Sequence, residues 1–393
     1  MPHLFERDRQ PAPDRRETRR EWFERMAAIG LVAPTFCQSL MLAQSTSSKS
    51  TRSKLSHPGP FRGRVVAVEH SGSIISGRYQ KETCDQMVRR GMMDLTGAPD
   101  HIAAWRMFVQ PGEVIGIKLN PVGKPNVISA PEFVQVIVSH LEAAGIQRKD
   151  MVAYDRYKSE FYEAGFDKWL PEGVRVANAT TSYDETQQQM GGYDPDHWMD
   201  MQLTLPGFDI SNEHARRSYC AQFITKQVDK MINLPLLKHH QSAGVTFALK
   251  NMSHGLVNNV NRSHSSSVLN ACGAFIPAVV AIPVIRDKCV LHIMDGVKGL
   301  AHGGPGGGKD RLPYVWEHKT MYFATDPVAM DRVGLQAIDT KRKAIGREIV
   351  ADAKPDPLSR FVRMQPEYID IAGALGLGEH DLKKIDLRKV TLA

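Results

Sequence analysis

Between residues 228 and 264 the sequence concentrates side chains that can bind anions, ligate metals or transfer protons. An apolar run from Met231 to Leu237 changes abruptly into a polar stretch. This stretch contains Lys238, His239, His240, Lys250, Asn251, His254, Asn258, Asn259, Asn261 and His264. Each buried polar group needs a hydrogen-bond partner, so a core cannot absorb all of them. We therefore predict that several face a cleft, although the stretch does not reveal a reaction.

Polar residues also stand at or just after the ends of the other apolar runs. Together with two members of the stretch above, they are Lys118, Asn120, Asp155, Lys238, His240, Asp295 and Asp326. In open α/β sheets, ligands bind beyond the carboxyl ends of parallel strands. If the runs are strands of one parallel sheet, these side chains lie on one rim. Each also has a plainer explanation, such as a helix cap for Asp326 or a turn for Asp155 and Asp295.

The order of the elements predicts an α/β fold. Two apolar runs, 113–119 and 151–154, flank a helical segment that ends at Gly145. A capping-box pattern at Ser129–Glu132 marks the start of that helix. A strand–helix–strand unit implies parallel strands covered by helices. We expect a mixed, mainly parallel sheet flanked by helices, with long loop insertions.

Further strands are predicted at 65–70, 231–237, 287–295 and 320–324, and a helix is predicted to follow Asp326-Pro327. Residues 180–219 interrupt the pattern with a polar segment that contains scattered aromatic side chains. A segment of this length is either an active-site lid or a surface insertion.

Charge and cysteine usage exclude some classes of protein. The chain has 393 residues and a net charge of +7, but the first 54 residues hold ten Lys/Arg against six Asp/Glu. The remainder therefore carries only +3, and we expect no nucleic-acid partner. The five cysteines form no C-x-x-C pair, so no iron–sulfur cluster or zinc ribbon is expected. Two of the four cysteines beyond Cys37 could form a disulfide.

Common catalytic motifs are missing from the sequence. It has no P-loop, no dinucleotide fingerprint, no G-x-S-x-G elbow and no H-E-x-x-H. The glycine-rich run 303–308, with Lys309 beside it, could offer backbone N–H groups to an anion.

The N-terminus resembles a twin-arginine export signal. Arg19-Arg20 precedes an apolar stretch, 27–43, that is too short and too interrupted for a membrane span. We predict an export signal at 1–44, a flexible linker at 45–63, the twin-arginine machinery as a partner and a periplasmic or otherwise exported protein without a stable span. An amphipathic N-terminal helix is the alternative.

Several motifs in succession resemble the domain of unknown function 362 family. They are IKLNPVG, INLPLLKHH, ALKNMSHGLV, IMDGVKGLAHGGPGGG and ATDPVAMD, spread over roughly residues 64–340. By the family's pattern the recurrent positions are Lys118, Asn120, Lys238, His240, Lys250, Asn251, Asp295, Gly304, Pro305, Asp326 and Asp331. The resemblance implies a shared α/β domain, here 64–345, with a polar site. It does not imply a reaction. Residues 346–393 are predicted to form a C-terminal extension that packs on this domain.

Two functional hypotheses follow. The first is an enzyme or ligand-binding domain for a small anionic molecule, with a divalent metal as an additional hypothesis. Its predicted catalytic residues are Lys118, Asp155, Lys238, His240, Lys250 and Asp295. Its predicted substrate-binding residues are Asn120, Asn251, Gly304, Gly306 and Lys309, and its predicted metal ligands are His240, His254, His264 and Asp326. The second hypothesis is a non-catalytic exported binding or assembly protein, in which the same polar groups form a structural network.

Overall fold

A ten-stranded sheet organises residues 53–393, the part of the chain that the computed structural model describes. Eight strands run in the order β14-β1-β13-β12-β9-β4-β5-β6, and β10 and β11 extend from β12. The bounds of these strands are Arg64–His70 (β1), Ile115–Lys118 (β4), Met151–Tyr154 (β5), Arg175–Ala177 (β6), Lys230–Asn233 (β9), Leu236–His240 (β10), Gly244–Thr246 (β11), Cys289–Leu300 (β12), Val315–Ala324 (β13) and Asp386–Leu392 (β14). Two small hairpins add Ile74–Ile75 (β2) with Arg78–Tyr79 (β3), and Tyr193–Asp200 (β7) with Arg217–Ala221 (β8).

The sheet is mainly parallel, which confirms the predicted fold class. Strands β4, β5, β6, β9, β10 and β12 are parallel to one another, whereas β13 is antiparallel to both β12 and β1, and β11 is antiparallel to β10. All residues of β4 and β5 are buried, because helices cover both faces of a parallel sheet. Continuous apolar runs are the sequence pattern of such strands.

Eleven α-helices are present in the described part of the chain. They are Lys81–Thr96 (α1), His101–Arg106 (α2), Pro131–Ala144 (α3), Lys158–Glu163 (α4), Phe166–Trp169 (α5), Glu213–Arg216 (α6), Ala248–Leu256 (α7), Cys272–Val280 (α8), Pro283–Lys288 (α9), Pro327–Ala344 (α10) and Tyr368–Ala374 (α11). Apolar residues of α1 and α3 form one core cluster with the central strands. Helix α7, which carries Lys250, Asn251 and His254 of the polar stretch, packs against α8 and α10.

Both ends of the described chain are attached to the folded domain. Ser56 and His57 are buried, and the Ser56 hydroxyl donates to Asp287 at 2.7 Å. The prediction of a flexible linker up to residue 63 does not fit residues 56–63. The N–H of His57 donates to the carbonyl of Arg286 in α9, and the N–H groups of Phe61 and Gly63 donate to Thr325 and Asp326. At the other end β14 pairs with β1 along seven residues.

Two further sequence features are settled within residues 53–393. Cys84, Cys220, Cys272 and Cys289 are buried and free, so no disulfide joins any two of them. None of the helices in this range is both long enough and apolar enough to cross a membrane.

Candidate functional site

A cavity of about 230 Å³ lies beyond the carboxyl ends of β4, β5 and β10. Of the predicted site residues, those that line it are Lys118, Asn120, Asp155, His240, Lys250, Asn251, His254 and His264. They come from three strand ends, from helix α7 and from the turn after it. The volume is below the roughly 300–1,000 Å³ of drug-sized ligand pockets, so only a small molecule fits.

Lys118 and Asp155 form a buried ion pair in one wall of the cavity. β4 pairs with β5 in register Lys118 to Tyr154, so the residue after β5 lies beside the lysine. The Lys118 ammonium is 2.5 Å from Asp155 Oδ1 and also donates to the carbonyl of Leu119. Because the two charges of this pair cancel, the pair adds no net charge to the cavity and also stabilises the fold.

Lys238 begins a directional chain of side-chain hydrogen bonds. It lies in β10, and its ammonium donates to Asn120 Oδ1 at 2.9 Å and to the carbonyl of Val122. Asn120 Nδ2 then donates to Asn251 Oδ1 at 3.0 Å, an oxygen that lies 3.4 Å from the ammonium of Lys118. Lysines have no acceptor, so these contacts determine which way both amides point.

The chain continues away from the cavity. Asn251 Nδ2 donates to Asn233 Oδ1 at 2.7 Å, and Asn233 Nδ2 donates to the carbonyl of Ala248 and to His292 Nδ1. With Nδ1 as an acceptor, neutral His292 carries its proton on Nε2, which lies 3.2 Å from Nε2 of His57. A line of oriented groups therefore connects the cavity lysines to a fully buried histidine pair.

Lys250 has no comparable partner. It lies in the first turn of α7, whose first two backbone N–H groups are held by the carboxylate of Asp331. Its side chain is 4% exposed and faces the cavity, yet within residues 53–393 its ammonium makes no hydrogen bond or ion pair. Burial lowers its pKa to about 8, with the charge of Arg156 as a further cause. Lys250 is thus a buried amine available to a ligand.

Arg156 is a third cation of the cavity lining, and sequence reasoning missed it. Its guanidinium donates to the carbonyl of Val257 at 3.1 Å and to the hydroxyl of Tyr157, and it lies 4.3 Å from the centre of that ring. Within the described residues it has no carboxylate at ion-pair distance. Arg156 directly follows Asp155, so its place after β5 was a signal that could have found it.

The carboxyl of Glu160, in α4, also lines the cavity. Its Oε2 is buried and has no hydrogen-bond partner within residues 53–393, and burial raises its pKa. Burial lowers the pKa of Lys238 to about 7, against the opposing charges of Glu160 and Asp155. The cavity as a whole has more cationic than anionic groups, so it favours a bound anion.

The histidines of the cavity differ in which nitrogen carries the proton. His240 Nδ1 accepts from the backbone N–H groups of Ser242 and Ala243, so its Nε2 carries the hydrogen. His264 Nδ1 lies 2.9 Å from Ser263 Oγ, and His254 Nε2 lies 3.1 Å from the same oxygen. The Ser263 hydroxyl donates to the carbonyl of Val260 at 2.7 Å, so both imidazoles donate to it. His264 therefore keeps a lone pair on Nε2, and burial lowers its pKa to about 3.

This architecture can be compared with known proteins. The domain of unknown function family DUF362 matches residues 115–336, more than half of the chain. The chain belongs to the DUF362 family. The match begins at β4 and ends in α10, so it contains every residue of the cavity described above.

The other comparisons add little to this assignment. No curated protein matches the DUF362 chain in sequence. A structural-genomics crystal structure of a Thermotoga maritima protein resembles it with a TM-score of 0.37 and 11% identity, over 67% of this chain and 59% of that one. The chain thus spans less than two thirds of the length of that protein.

Among residues 53–393 of this DUF362 chain, two groups of side chains could hold a metal ion. In the first, donor atoms of His254, His264 and Cys272 all lie within 4.8 Å of one another at the edge of the cavity. Cys272 was not among the predicted ligands, and Asp326 is far from this group. The second group is His57, Cys289 and His292. There, the proton on Nε2 of His292 points at His57, whereas Nε2 of His264 in the first group has a free lone pair, so the hydrogen-bonding pattern favours the first group.

The structure corrects the placement of Asp326. Because β13 is antiparallel, its carboxyl end lies at the opposite edge of the sheet from those of β4 and β5. The Asp326 carboxylate caps α10 by accepting from Val328 and Ala329, and it also accepts from Gly63 and Glu379. All four contacts are backbone N–H groups, so this carboxylate serves the fold and not a metal at the cavity.

Asp295 is also outside the cavity lining. The strand predicted to end at Asp295 continues to Leu300, so the residue is in the middle of β12. Its two carboxyl oxygens both lie 3.1 Å from the hydroxyl of Tyr79, and Oδ1 accepts from the backbone of Val297. Its predicted catalytic role is therefore not supported by position.

The glycine-rich run reaches the cavity only through Pro305. Gly304 and Gly306 are not part of the lining, and Lys309 is exposed at the start of a 3₁₀ helix. The substrate-binding role predicted for these three residues therefore lacks a contact with the cavity. By contrast, Tyr183 and Gln187 of the polar insertion do line it, so part of that segment belongs to the site.

Proposed function

We propose that this DUF362 chain binds a small carboxylate or phosphate in the cavity and acts on it with the lysines and imidazoles there. The observation that carries the proposal is the buried, unpaired ammonium of Lys250. Burying an uncompensated charge is costly, and an anion in the cavity would compensate it. Arg156 adds positive charge in the cavity lining, and Lys238 lies outside the lining, where it donates to Asn120 of the cavity wall.

The imidazoles supply proton donors and acceptors of fixed direction. His240 presents an N–H and His264 presents a lone pair, so one can hydrogen-bond an anionic oxygen while the other can accept a proton. Neutral imidazoles also suit a metal, and His254, His264 and Cys272 are the donors that support a metal-assisted form of this proposal.

The alternative is a purely structural polar network in a non-catalytic binding or assembly protein. Such a network would satisfy each of its members, as the asparagine chain from Lys238 does. Lys250 and the Oε2 of Glu160 depart from that expectation, since neither has a hydrogen-bond partner within residues 53–393. This departure favours a ligand site.

Phosphate should therefore stabilise the protein through Lys250. With phosphate at about 100 times its Kd, we expect roughly 2.7 kcal/mol of added stability, seen as an upward shift of several degrees in Tm by scanning fluorimetry. Lys250→Met should abolish the shift while leaving the ligand-free protein at least as stable, because the variant removes an uncompensated buried charge. Repeating the scan after treatment with a chelator shows whether a metal contributes.

Lys149→Met is the matched control, since Lys149 is exposed and distant from the cavity lining. It should keep the full phosphate shift. If Lys250→Met instead lost about 3–5 kcal/mol without ligand, Lys250 would be a member of a structural network and the alternative would hold.

We further propose that the protein acts after twin-arginine export, in the periplasm or an equivalent exported compartment. The support is the sequence of residues 1–44, which lie outside the described structure.

A further inference from the structure

We propose that Lys250 forms a Schiff base with the carbonyl carbon of a small 2-oxo acid bound in the cavity. This inference rests on the proposed function, because the carboxylate of the 2-oxo acid is the anion that the cavity would bind. It adds a covalent step and a substrate class to that function.

The geometry around Lys250 is that of a nucleophilic amine. A lysine can attack a carbonyl only when its nitrogen is neutral and has a free lone pair. Within residues 53–393 the Lys250 amine has no carboxylate partner, and it faces the cavity beside the charge of Arg156. Lys118 lacks these properties, because its ammonium is paired with Asp155 at 2.5 Å.

The position of the amine is fixed by the fold. Asp331 accepts hydrogen bonds from the N–H groups of Ala248 and Leu249, which immediately precede Lys250. The next residue, Asn251, is tied into the chain of amides by three neighbours. The backbone of this turn is therefore held on both sides of the lysine, which suits a group that must meet a carbonyl carbon in one orientation.

The rest of the cavity fits the substrate class. A 2-oxo acid needs a cation for its carboxylate, a donor for its ketone oxygen and little space. Arg156 has no carboxylate partner within residues 53–393, His240 presents an N–H, and the volume is about 230 Å³. Simple phosphates would satisfy the cation but would leave the amine without an electrophile.

The step balances without an oxidant or reductant. The Lys250 nitrogen forms a bond to the ketone carbon while the C=O electron pair moves to oxygen. The nitrogen then gives up its two protons in turn. The first converts the alkoxide into a hydroxyl group, and the second goes to that hydroxyl as it leaves as water and the C=N bond forms. One water is released for each imine.

The test is reductive trapping with pyruvate as the probe. The full-length protein is incubated at pH 7 with pyruvate and sodium cyanoborohydride, digested and mapped by mass spectrometry. At this pH a lysine with a pKa of about 8 has a neutral fraction on the order of a hundredfold larger than an ordinary lysine. We expect one adduct per chain, on Lys250, formed far faster than any adduct on exposed Lys149.

Three controls make the outcome decisive. Lactate has the same charge but no ketone, and it should give no adduct. Excess phosphate should protect Lys250, and Lys250→Met should lose the adduct while Lys149→Met keeps it. Because the adduct is mapped in the wild-type protein, the test does not depend on the folding of a variant.

Adducts on Lys238, or spread over exposed lysines, would overturn the Schiff-base proposal. If no adduct formed while phosphate still raised the Tm through Lys250, the anion site would stand and the covalent step would be wrong. If phosphate also had no effect, the proposed function itself would fail.

Discussion

Asp295 shows how burial changes the chemistry of a single carboxyl group. The residue is fully buried, and its donors are the hydroxyl of Tyr79 and the backbone of Val297. With no cation at ion-pair distance in the described residues, desolvation is the largest influence and raises its pKa to about 7. The folded protein therefore holds this proton more tightly than the unfolded chain does, in which the pKa of an aspartate is about 3.9.

This difference predicts a pH-dependent stability. A carboxyl with a raised pKa contributes stability that is complete below about pH 4 and is lost as the pH rises through 7. The shift of about three pKa units sets an upper limit of roughly 4 kcal/mol. Asp295→Asn imitates the protonated acid, so its unfolding free energy should vary less between pH 4 and 8 and exceed that of the wild type at pH 8. Urea unfolding at several pH values measures this, and parallel curves for both proteins would contradict it.

The lysines illustrate what residue type alone cannot tell. Lys118, Lys238 and Lys250 all appear in the sequence as cations near strand ends or helix starts. In the structure Lys118 is paired with a carboxylate, Lys238 donates to an amide and a carbonyl, and Lys250 has no partner within residues 53–393. These differences depend on neighbours that come from distant segments, so no local pattern could predict them.

At the scale of elements, the buried strands were the most predictable feature. The run at 151–154 coincides with β5, and the run at 113–119 contains β4. Such strands are covered on both faces, so their sequences are continuously apolar and are bounded by polar residues. The helix predicted after Asp326-Pro327 begins at Pro327, because a side-chain cap and an early proline are local signals.

Strand direction was the main feature that the sequence could not predict. An apolar run has the same appearance in a parallel and an antiparallel strand when both its faces are buried. The rim hypothesis assumed that all strands were parallel, and it failed at Asp326 because β13 runs in the opposite direction. It succeeded for Lys118, Asp155 and His240, which end or follow parallel strands.

The capping-box motif before α3 does not cap that helix. The capping-box pattern at Ser129–Glu132 does precede α3, but the helix begins at Pro131 and Ser129 makes no cap. Instead, the hydroxyl of Ser129 accepts from the backbone N–H of Asn120, and its own N–H donates to the carbonyl of Asn120. Ser129 thus fixes the backbone of Asn120, the residue that accepts the hydrogen bond of Lys238.

The hydrogen-bonded asparagines between β10, α7 and β9 predict which nitrogen of His292 carries the proton. The carbonyl of Ala248 sets the direction of the Asn233 amide, so His292 should be neutral with its proton on Nε2. Burial lowers its pKa well below the usual value, so this state should persist from pH 5 to 8. Nitrogen-15 NMR of histidine-labelled protein distinguishes the two tautomers. A proton on Nδ1, or a metal-shifted Nε2, would show that His57, Cys289 and His292 hold an ion instead.

At the scale of the whole molecule, the sheet divides two kinds of polar residue between its edges. The carboxyl ends of β4, β5 and β10 meet at the cavity, where cations and imidazoles face open space. Asp326 at the end of antiparallel β13 binds only backbone N–H groups. Polar residues at the carboxyl ends of parallel strands therefore line the site, whereas Asp326, after an antiparallel strand, caps a helix. The family match contains both kinds of residue.

The whole chain also combines this domain with an N-terminal segment of different composition. The first 54 residues contain ten of the 50 Lys/Arg, including Arg19-Arg20 before the apolar stretch 27–43. If this segment directs twin-arginine export, the α/β domain must fold before it crosses the membrane, which suits a mainly parallel sheet built from segments far apart in sequence.

Replacing both arginines by lysine keeps the charge but removes the bidentate guanidinium groups. The variant should accumulate in the cytoplasm at unchanged total yield, measured by fractionation and immunoblotting. Replacing Arg15-Arg16 by lysine is the matched control and should leave export intact, and equal periplasmic recovery of all three proteins would refute the assignment.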